Sequence, residues 1–467
     1  MAKFSIENFG CRATEADAAA LRHGLLVSGF HLTDDRSSAD LVVLNTCTVT
    51  AAADSQTRDA VRKIHRANPS ARIIVTGCYA QRAPDEIAAL QGVSWVIGNS
   101  HQTDLPKIAA GLIGQPNEGI SPAAPVTQKD FVPTLLLEDG QMSLARGPAK
   151  ILTGEIFSQT SVQIAPAARS EGDRTRPVLK IQDGCNNRCA YCVIPFVRGR
   201  SRSLPPAVVI AEVENLVAAG SREIVLSGIN LGAYGRDLSP RAGLSEVIRR
   251  ILEETEVEQL RLSSIEPQDV TEELISLMAG SPRLAPHFHV PLQSGSDRIL
   301  RAMHRWYRAE HYAERVKRIR QISPDAAIGA DVMVGFPGET EENFQATFEL
   351  SERLPFTYLH VFSFSARPGT EGANLAAPVP ATVIRERART LRALGHKKSA
   401  EFRATQVGRV LRALTLVGGE DAWTPALTAN YLKVRIPGRR LANEWHETSV
   451  CLDETLLEDR VAANSQK

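Results

Sequence analysis

One short stretch of this chain carries three cysteines in a CxxxCxxC arrangement, at Cys185, Cys189 and Cys192. Three thiolates on one loop can hold three irons of a [4Fe–4S] cluster and leave the fourth iron open to another ligand. The alternatives are a zinc knuckle or three unrelated buried cysteines. Zinc sites usually add a fourth Cys or His nearby, and no His lies in this loop. The spacing therefore favours an iron–sulfur cluster bound by the three cysteines of this loop.

Length, charge and cysteine usage restrict the class of protein. The 467 residues suggest two or three domains, at about 150 residues each. A formal net charge of +1 gives no overall attraction to nucleic acid, so such a site would have to be a local basic patch. Seven dispersed cysteines argue against a secreted disulfide framework, and no signal peptide or membrane-spanning apolar run is visible. We expect a cytoplasmic protein with no membrane partner.

The first part of the chain alternates strands with helices, which predicts a doubly wound parallel α/β sheet. The strand-like runs are residues 4–9, 40–47, 71–78 and 95–98. Cys11, Cys47 and Cys78 each follow the carboxyl end of a predicted strand, and those ends share one edge of a parallel sheet. Any one of them could be an ordinary buried residue. Three in the same position favour a second three-cysteine cluster site with an open iron.

The central part repeats a strand followed by helix-like sequence six times. The predicted strands are residues 178–182, 223–227, 259–263, 288–292, 327–334 and 358–364. Six βα units predict a (βα)6 partial TIM barrel, in which right-handed crossovers place the following loops on one mouth. The CxxxCxxC loop follows the first strand, so its cluster is expected at that mouth. Residues 116–175, rich in Pro, Ala, Ser and Gly, are predicted to be a linker with some structure near residues 134–137.

Polar residues in the cluster loop and at the ends of other barrel strands are candidates for contact with a small ligand. The candidates are Tyr191, Ser227, Gly228, Glu266 and Gln293, with Asp331 and Ser365 at the same mouth. Each one taken alone is as consistent with an ordinary loop residue as with a ligand contact.

Arginines near the cluster loop suggest contact with nucleic acid. They are Arg198, Arg200 and Arg202 just after the loop, and Arg301, Arg305 and Arg308 around Trp306 and Tyr307. Arginine beside aromatic residues suits phosphate contact and base stacking. A solvated helix face explains the second group equally well.

The last part of the chain changes pattern after a long charged helix at about residues 381–403. Short alternating runs then predict a small antiparallel β-barrel of OB-like type, a fold often used on RNA. Arg435, Arg439 and Arg440 give this barrel a basic rim. Cys451 has no thiol neighbour in sequence and is expected in the core of this barrel.

Six segments are similar to signature segments of one family. They are residues 45–50 (NTCTVT), 76–81 (TGCYAQ), 180–192 (KIQDGCNNRCAYC), 291–297 (PLQSGSD), 335–340 (GFPGET) and 428–434 (TANYLKV). With them the chain resembles the methylthiotransferase family of radical S-adenosylmethionine (SAM) enzymes over essentially its full length. We place a cluster-binding domain at 1–115, the linker at 116–175, a radical SAM domain at 176–400 and a TRAM-like RNA-binding domain at 401–467.

The resemblance implies two [4Fe–4S] clusters and two molecules of SAM. One SAM would bind the open iron held by Cys185, Cys189 and Cys192 and be cleaved by one electron to a 5′-deoxyadenosyl radical. A second would methylate sulfur at the other three cysteines, and the methylthio group would pass to C2 of an adenine. The Thr-Val-Thr run at 48–50 and the Cys-Tyr-Ala-Gln run at 78–81 look most like those of enzymes acting on N6-threonylcarbamoyladenosine, the nucleoside just 3′ of the anticodon. Implied partners are tRNA, through its anticodon loop, an electron donor and a sulfur source.

The same resemblance assigns the candidate residues. Tyr191, Ser227, Gly228, Glu266 and Gln293 become candidate SAM contacts, and the candidate RNA contacts are Arg198, Arg200, Arg202, Arg435 and Arg439. Three other functions stay open at this point. The family also includes enzymes for isopentenyladenosine in tRNA and for an aspartate of a small-subunit ribosomal protein. Outside the family, the alternative is an RNA-binding iron–sulfur protein without turnover.

Overall fold

The computed structural model describes residues 2–112, 149–163 and 175–450. The strands of its first unit are β1 (Lys3–Asn8), β2 (His31–Leu32), β3 (Leu41–Thr46), β4 (Arg72–Gly77), β5 (Val93–Gly98) and β6 (Lys150–Leu152). The helices are α1 (Arg12–Val27), α2 (Ala51–Ala67), α3 (Cys78–Arg82), α4 (Pro84–Ala88) and α5 (Leu105–Leu112). All six strands are parallel, in the order β2-β1-β3-β4-β5-β6. The predicted doubly wound parallel domain is confirmed.

Burial on both faces explains why the strands of this sheet are continuous apolar runs in the sequence. In β3, Val42 and Leu44 pack in the core on the α2 side, whereas Leu41 and Val43 pack in the core on the α1 side. Successive side chains of a strand point to opposite faces, so the strand needs apolar residues at every position. This two-sided core fixes the carboxyl ends of β3 and β4 side by side.

Part of the predicted linker belongs to this first domain. Strand β6 (Lys150–Leu152) pairs in parallel with β5, and Ile151 and Leu152 are buried. The prediction of a linker over 116–175 was therefore wrong for this segment. This three-residue strand has only two apolar residues, Ile151 and Leu152, which is too short a run to stand out among the Pro, Ala and Gly residues around it. The structure predicted near residues 134–137 lies outside the described residues.

The second unit contains the six predicted barrel strands and one short extra strand. The strands are β7 (Val178–Asp183), β8 (Arg202–Ser203), β9 (Glu223–Gly228), β10 (Gln259–Leu262), β11 (His287–His289), β12 (Ala327–Val334) and β13 (Tyr358–Ser363). The order of the parallel strands is β7-β9-β10, joined by bridges to β11-β12-β13, and β8 pairs antiparallel with β7. This confirms the predicted (βα)6 partial barrel.

Helices surround this barrel on the outside and bury its apolar wall. The short helix α6 (Ile194–Arg198) instead packs on Cys78 of the first domain. The helices around the barrel are α7 (Pro206–Ala218), α8 (Leu244–Glu254), α9 (Glu272–Gly280), α10 (Asp297–Ala302), α11 (Ala309–Ile322), α12 (Glu341–Arg353) and α13 (Ala381–Gln406). The last of these runs across residue 400, where a domain boundary was predicted. In the part of the chain that the structure describes, no helix is long and apolar enough to span a bilayer.

The third unit is a curled four-stranded antiparallel sheet, in effect a half-barrel. Its strands are β14 (Val410–Thr415), β15 (Trp423–Thr428), β16 (Lys433–Pro437) and β17 (Trp445–Ser449), in the order β16-β15-β14-β17. The predicted antiparallel β unit at this end of the chain is confirmed. Cys451, expected in its core, lies outside the described residues.

The turn between β15 and β16 inserts into the barrel. Arg261 of β10 donates hydrogen bonds to the carbonyl oxygens of Ala429 (3.0 Å) and Thr428 (3.2 Å). Tyr431, held at φ +67°, stacks on His287 with ring centroids 4.1 Å apart. Arg12 of the first domain lies 3.4 Å from the Tyr431 hydroxyl and donates to it. One turn therefore touches all three units.

Candidate active site

The structure brings Cys11, Cys47 and Cys78, hereafter the N-terminal triad, to one edge of the first sheet. Cys11 caps helix α1, Cys47 directly follows β3 and Cys78 begins α3. Gly10 makes the approach possible: its φ is +123°, and a Cβ on it would lie 2.5 Å from the Cβ of Cys47. Burial, reinforced by negative charge at Cys11 and Cys78, raises the pKa of the Cys47 thiol to about 12.

The surroundings of this triad suit sulfur that carries negative charge. The backbone N–H of Val49 points at Sγ of Cys47, and the side-chain amide of Asn99 points at Sγ of Cys78, both at 3.5 Å. Burial raises the pKa of Cys78, and the Arg198 guanidinium opposes that rise. Such donors compensate thiolates that bind metal. The three thiols therefore fit an iron–sulfur cluster.

Cys185, Cys189 and Cys192, hereafter the loop triad, follow strand β7 at the barrel mouth. Gly184 turns the chain there with φ +70°, and a Cβ on it would lie 2.0 Å from the carbonyl oxygen of Arg200. The N–H of Asn187 donates to Sγ of Cys185, and Arg305 donates to Sγ of Cys189, both at 3.4 Å. Burial raises the pKa of Cys185 to about 11 and that of Cys192 to about 12. These donors also fit a cluster.

A cavity of about 190 Å³ lies where the loops that carry the two triads meet. Val49 and Thr50, which follow Cys47, line one side of it, and Cys192 lines another. Cys78 also packs against Val193 and Val197, which follow the loop triad. The geometry therefore allows groups held by the two triads to face a common space.

Comparison with known proteins identifies the family. Residues 3–98 match the family described as Uncharacterized protein family UPF0004, and residues 179–351 match the Radical SAM superfamily. The threonylcarbamoyladenosine tRNA methylthiotransferase MtaB of Aquifex aeolicus is 36% identical over 437 residues, covering 93% of this chain and 97% of the relative. The chain belongs to the radical SAM methylthiotransferase family. It is therefore a transferase, and membership of the radical SAM superfamily implies SAM and a [4Fe–4S] cluster.

Two further comparisons place this methylthiotransferase among its relatives. The tRNA-2-methylthio-N(6)-dimethylallyladenosine synthase of Thermobifida fusca is 35% identical over 418 residues, covering 89% of this chain and 78% of the relative. Among solved structures, the radical SAM methyltransferase TsrM from Kitasatospora setae, with tryptophan substrate and a SAM analog bound, superposes with a TM-score of 0.56. It is 19% identical and covers 80% of this chain and 75% of its own, which shows the shared fold.

The five candidate SAM contacts of the methylthiotransferase do not all reach this cavity. Tyr191 and Gln293 line it, and Gln293 is held at φ +64°. Ser227 and Gly228 do not line it: Ser227 is buried, and a Cβ on Gly228 would lie 2.8 Å from the Gln182 amide oxygen. Glu266 does not line it either, because its carboxylate is paired with Arg305.

The prediction that Arg198 contacts RNA was wrong. Its side chain is 2% exposed, at the inner end of α6. It donates to Asp17 of helix α1 at 2.7 Å and to Asp183 at 3.1 Å. Lys180 joins them by donating to both carboxylates, and Arg202 lies 3.5 Å from Asp183. Three cations and two carboxylates therefore fill this interface between the first domain and the barrel. Both terminal nitrogens of this buried guanidinium are engaged with carboxylates, and the remaining Nε is buried too, so the group is not available to a phosphate.

The other candidate RNA contacts differ in exposure. Arg200 is exposed. Arg202 is mostly buried: it donates to the carbonyl oxygens of Ser161 and Arg198, both at 2.7 Å. In the C-terminal sheet, Arg435 lies over the ring of Trp423, whereas Arg439 is exposed and 3.6 Å from Asp421.

Sequence reasoning missed the residues that join the domains at this site. Asp17, Lys180 and Asp183 form the buried network, and Arg367 pairs with Asp54 below the Cys47 loop. One signal was available, because a lysine between the apolar residues Leu179 and Ile181 of a buried strand needs a buried partner. The identity of that partner was not available, since Asp17 lies 163 residues earlier.

A second polar cluster borders the cavity at Asp331. His289 Nε2 is 3.0 Å and His360 Nδ1 is 3.4 Å from its carboxylate. Burial alone would raise the pKa of Asp331, but His289 and His360 together lower it. The three side chains are close enough to share a cation. Their mutual hydrogen bonds already account for the geometry.

Proposed function

We propose that this enzyme transfers a methylthio group to C2 of N6-threonylcarbamoyladenosine in tRNA, at the nucleoside just 3′ of the anticodon. It would use two [4Fe–4S] clusters, one on each triad, and two molecules of SAM. The observation that carries the proposal is the meeting of the two cysteine-bearing loops at one cavity. The relatives from Aquifex aeolicus and Bacillus subtilis, both named for threonylcarbamoyladenosine, favour this substrate within the family.

The chemistry explains why two such sites are needed. The C2–H bond of adenine is not acidic enough for a general base at neutral pH, and C2 has no leaving group. Held at these thiols, the clusters would pass on an electron from an external donor and hold the sulfur, and SAM would supply the radical and the methyl group, while the protein orients them.

Residues of this chain lie where they can support the two clusters and line the space between them. N–H groups of Val49 and Asn187 and the Arg305 guanidinium donate to cysteine sulfur at both triads. The apolar side chains of Met333 and Phe364 line the cavity. An aromatic and apolar wall with a few polar groups is the usual character of a cofactor and substrate site.

An anticodon-loop nucleoside suits this arrangement, because a loop base can be splayed out without melting a helix. Exposed arginines such as Arg200 and Arg439 are the remaining candidates for phosphate contact. We expect log affinity for tRNA to fall by about 0.7–0.9 per phosphate contact per log unit of salt. Affinity that stays flat between low and moderate salt would contradict this binding mode.

Mass analysis of nucleosides tests the substrate directly. The enzyme, reconstituted without oxygen, is incubated with tRNA that carries threonylcarbamoyladenosine or isopentenyladenosine. We expect a methylthio product on the first and none on the second, and none on either when the loop triad is replaced by Ala. Product only on isopentenyladenosine would favour the function for which the Thermobifida fusca relative is named. Product on neither tRNA would refute the proposal. The electron donor, the sulfur source and the cytoplasmic setting stay predictions.

A further inference from the structure

Trp306 is an exposed tryptophan held in place on both sides. Its residue exposure is 80%, higher than that of the other large apolar residues on the described surface. The preceding Arg305 is 5% exposed at its side chain and paired with Glu266. The Tyr307 hydroxyl donates to the carbonyl oxygen of Leu292 at 2.7 Å. Because both neighbours are anchored, the indole is presented to solvent by a fixed backbone.

The segment that carries Trp306 covers the outer side of the loop triad. The N–H of Ala190 donates to the carbonyl oxygen of Met303 at 3.1 Å. The His304 ring lies 3.1 Å from the carbonyl oxygen of Arg188. Arg305 reaches Sγ of Cys189 itself, at 3.4 Å. Trp306 is thus the residue next to a side chain that touches a cluster thiol.

Three arginines lie on the segment that carries Trp306 or on the cluster loop that this segment contacts. Arg188, Arg301 and Arg308 are exposed, and none forms an ion pair with another residue within 2–112, 149–163 or 175–450. We call these three arginines and Trp306 the Trp306 patch. The whole chain has a net charge of +1, so three arginines without an ion-pair partner on these two contacting segments are a local excess of positive charge. The carboxylate of Glu371 is paired with His304 of the same segment. An acidic surface is the complement of such a patch.

The patch approaches the cluster loop from outside the cavity. None of its four residues is among those that line the cavity where substrate would meet both triads. A nucleoside bound over Trp306 would therefore lie outside that cavity. A substrate nucleoside has to enter the cavity, whereas an electron donor has to dock against the cluster loop without entering it.

We propose that the Trp306 patch is the docking surface for an acidic one-electron carrier protein of the flavodoxin class. The inference rests on the loop triad holding the [4Fe–4S] cluster that radical SAM membership implies. In the step, the reduced flavin hydroquinone loses one electron and becomes the semiquinone, and the cluster gains that electron; no bond forms or breaks in the protein. Small, charge-complementary contacts are typical of electron-transfer encounters.

The test separates docking from catalysis by changing the reductant. SAM cleavage by the reconstituted enzyme is measured with reduced flavodoxin and, separately, with dithionite, which needs no docking surface. For Trp306→Ala and for Arg301→Glu/Arg308→Glu, we expect kcat/KM for flavodoxin to fall about tenfold or more. The dithionite rate should stay within about twofold of that of the parent enzyme. The matched controls are Trp445→Phe in the C-terminal sheet and Arg389→Glu on α13, which lie outside the patch and should change neither rate.

Direct binding gives a readout that does not depend on turnover. Titration of flavodoxin onto the cluster-loaded enzyme should give a Kd that rises about tenfold in both patch variants and rises steeply with salt in the parent. Equal Kd values for parent and patch variants would overturn the inference. So would normal flavodoxin kinetics together with weaker tRNA binding, because the patch would then serve RNA. A parent enzyme that cleaves SAM but modifies no tRNA would refute the proposed function and leave this inference intact.

Discussion

The buried network at Asp17 allows a quantitative prediction for Asp17→Asn. Asp17 and Asp183 pair with Lys180 and Arg198, and all four side chains are 5% exposed or less. Asparagine keeps the shape of the side chain and can still accept one hydrogen bond, but it removes one negative charge. With Arg202 at 3.5 Å from Asp183 included, the network then changes from three cations and two carboxylates to three cations around one carboxylate.

The expected cost follows from burial. Removing one partner from a buried ion pair leaves an uncompensated charge and typically costs about 3–5 kcal/mol. Lys180 and Arg198 would share Asp183, at 2.8 and 3.1 Å, so part of the attraction remains. We expect the free energy of unfolding to fall by about 3 kcal/mol, near the lower end of that range. Because Asp17 lies on the helix that begins after Cys11, the N-terminal triad should also lose iron on purification.

Urea denaturation followed by circular dichroism measures the effect. Asp59→Asn is the matched control, because Asp59 pairs with Arg62 at 3.0 Å while both side chains are about half exposed. Its effect should stay within about 1 kcal/mol. Equal losses for the two variants would show that the network contributes no more than a surface pair. The reasoning from burial would then be wrong.

Three further predictions concern the cluster sites and the barrel interior. Replacing either triad by Ala should remove about four irons and leave the other cluster, as counted by iron and sulfide assay. Gly10→Ala should remove iron from the N-terminal triad alone, because its Cβ would press on Cys47; full iron content would count against the assigned backbone. Burial lowers the pKa of His287 well below its usual range, so below about pH 6.5 the unfolded chain binds a proton that the folded one does not. The free energy of unfolding should then decrease as the pH is lowered, by up to about 1.4 kcal/mol per pH unit. The variant His287→Phe should lack this dependence.

The strands were predictable because the residues that are buried in each one form a continuous apolar run in the sequence. The runs at β3 and β4 are apolar at nearly every position, and the cysteines that follow them are visible as such. The topology rules for parallel sheets then bring those strand ends together without any further information. The six barrel strands were found in the same way, with bounds that differ by a few residues.

What could not be predicted depends on partners far away in sequence. Arg198, Arg200 and Arg202 look alike in the chain, yet Arg198 turns inward because Asp17, 181 residues earlier, meets it there. Strand β6 forms because β5 offers it an open edge, and its own three residues carry little signal. The same holds for Ser227 and Glu266, whose neighbours only the folded chain reveals. Local pattern therefore predicts elements, and charge pairing between elements decides which polar residues remain free.

The turn around Tyr431 has a consequence for how this enzyme can be dissected. Cutting away the C-terminal half-barrel would take the stacking partner from His287 and two acceptors from Arg261, a guanidinium with no exposed surface of its own. In a truncated protein, a loss of RNA binding could not be separated from the disturbed packing inside the barrel. Point changes on the exposed rim, at Arg439 for example, avoid this confusion. For the same reason, a chimera that exchanges this module between relatives has to include both the Tyr431 turn and the barrel residues that contact it, His287 and Arg261.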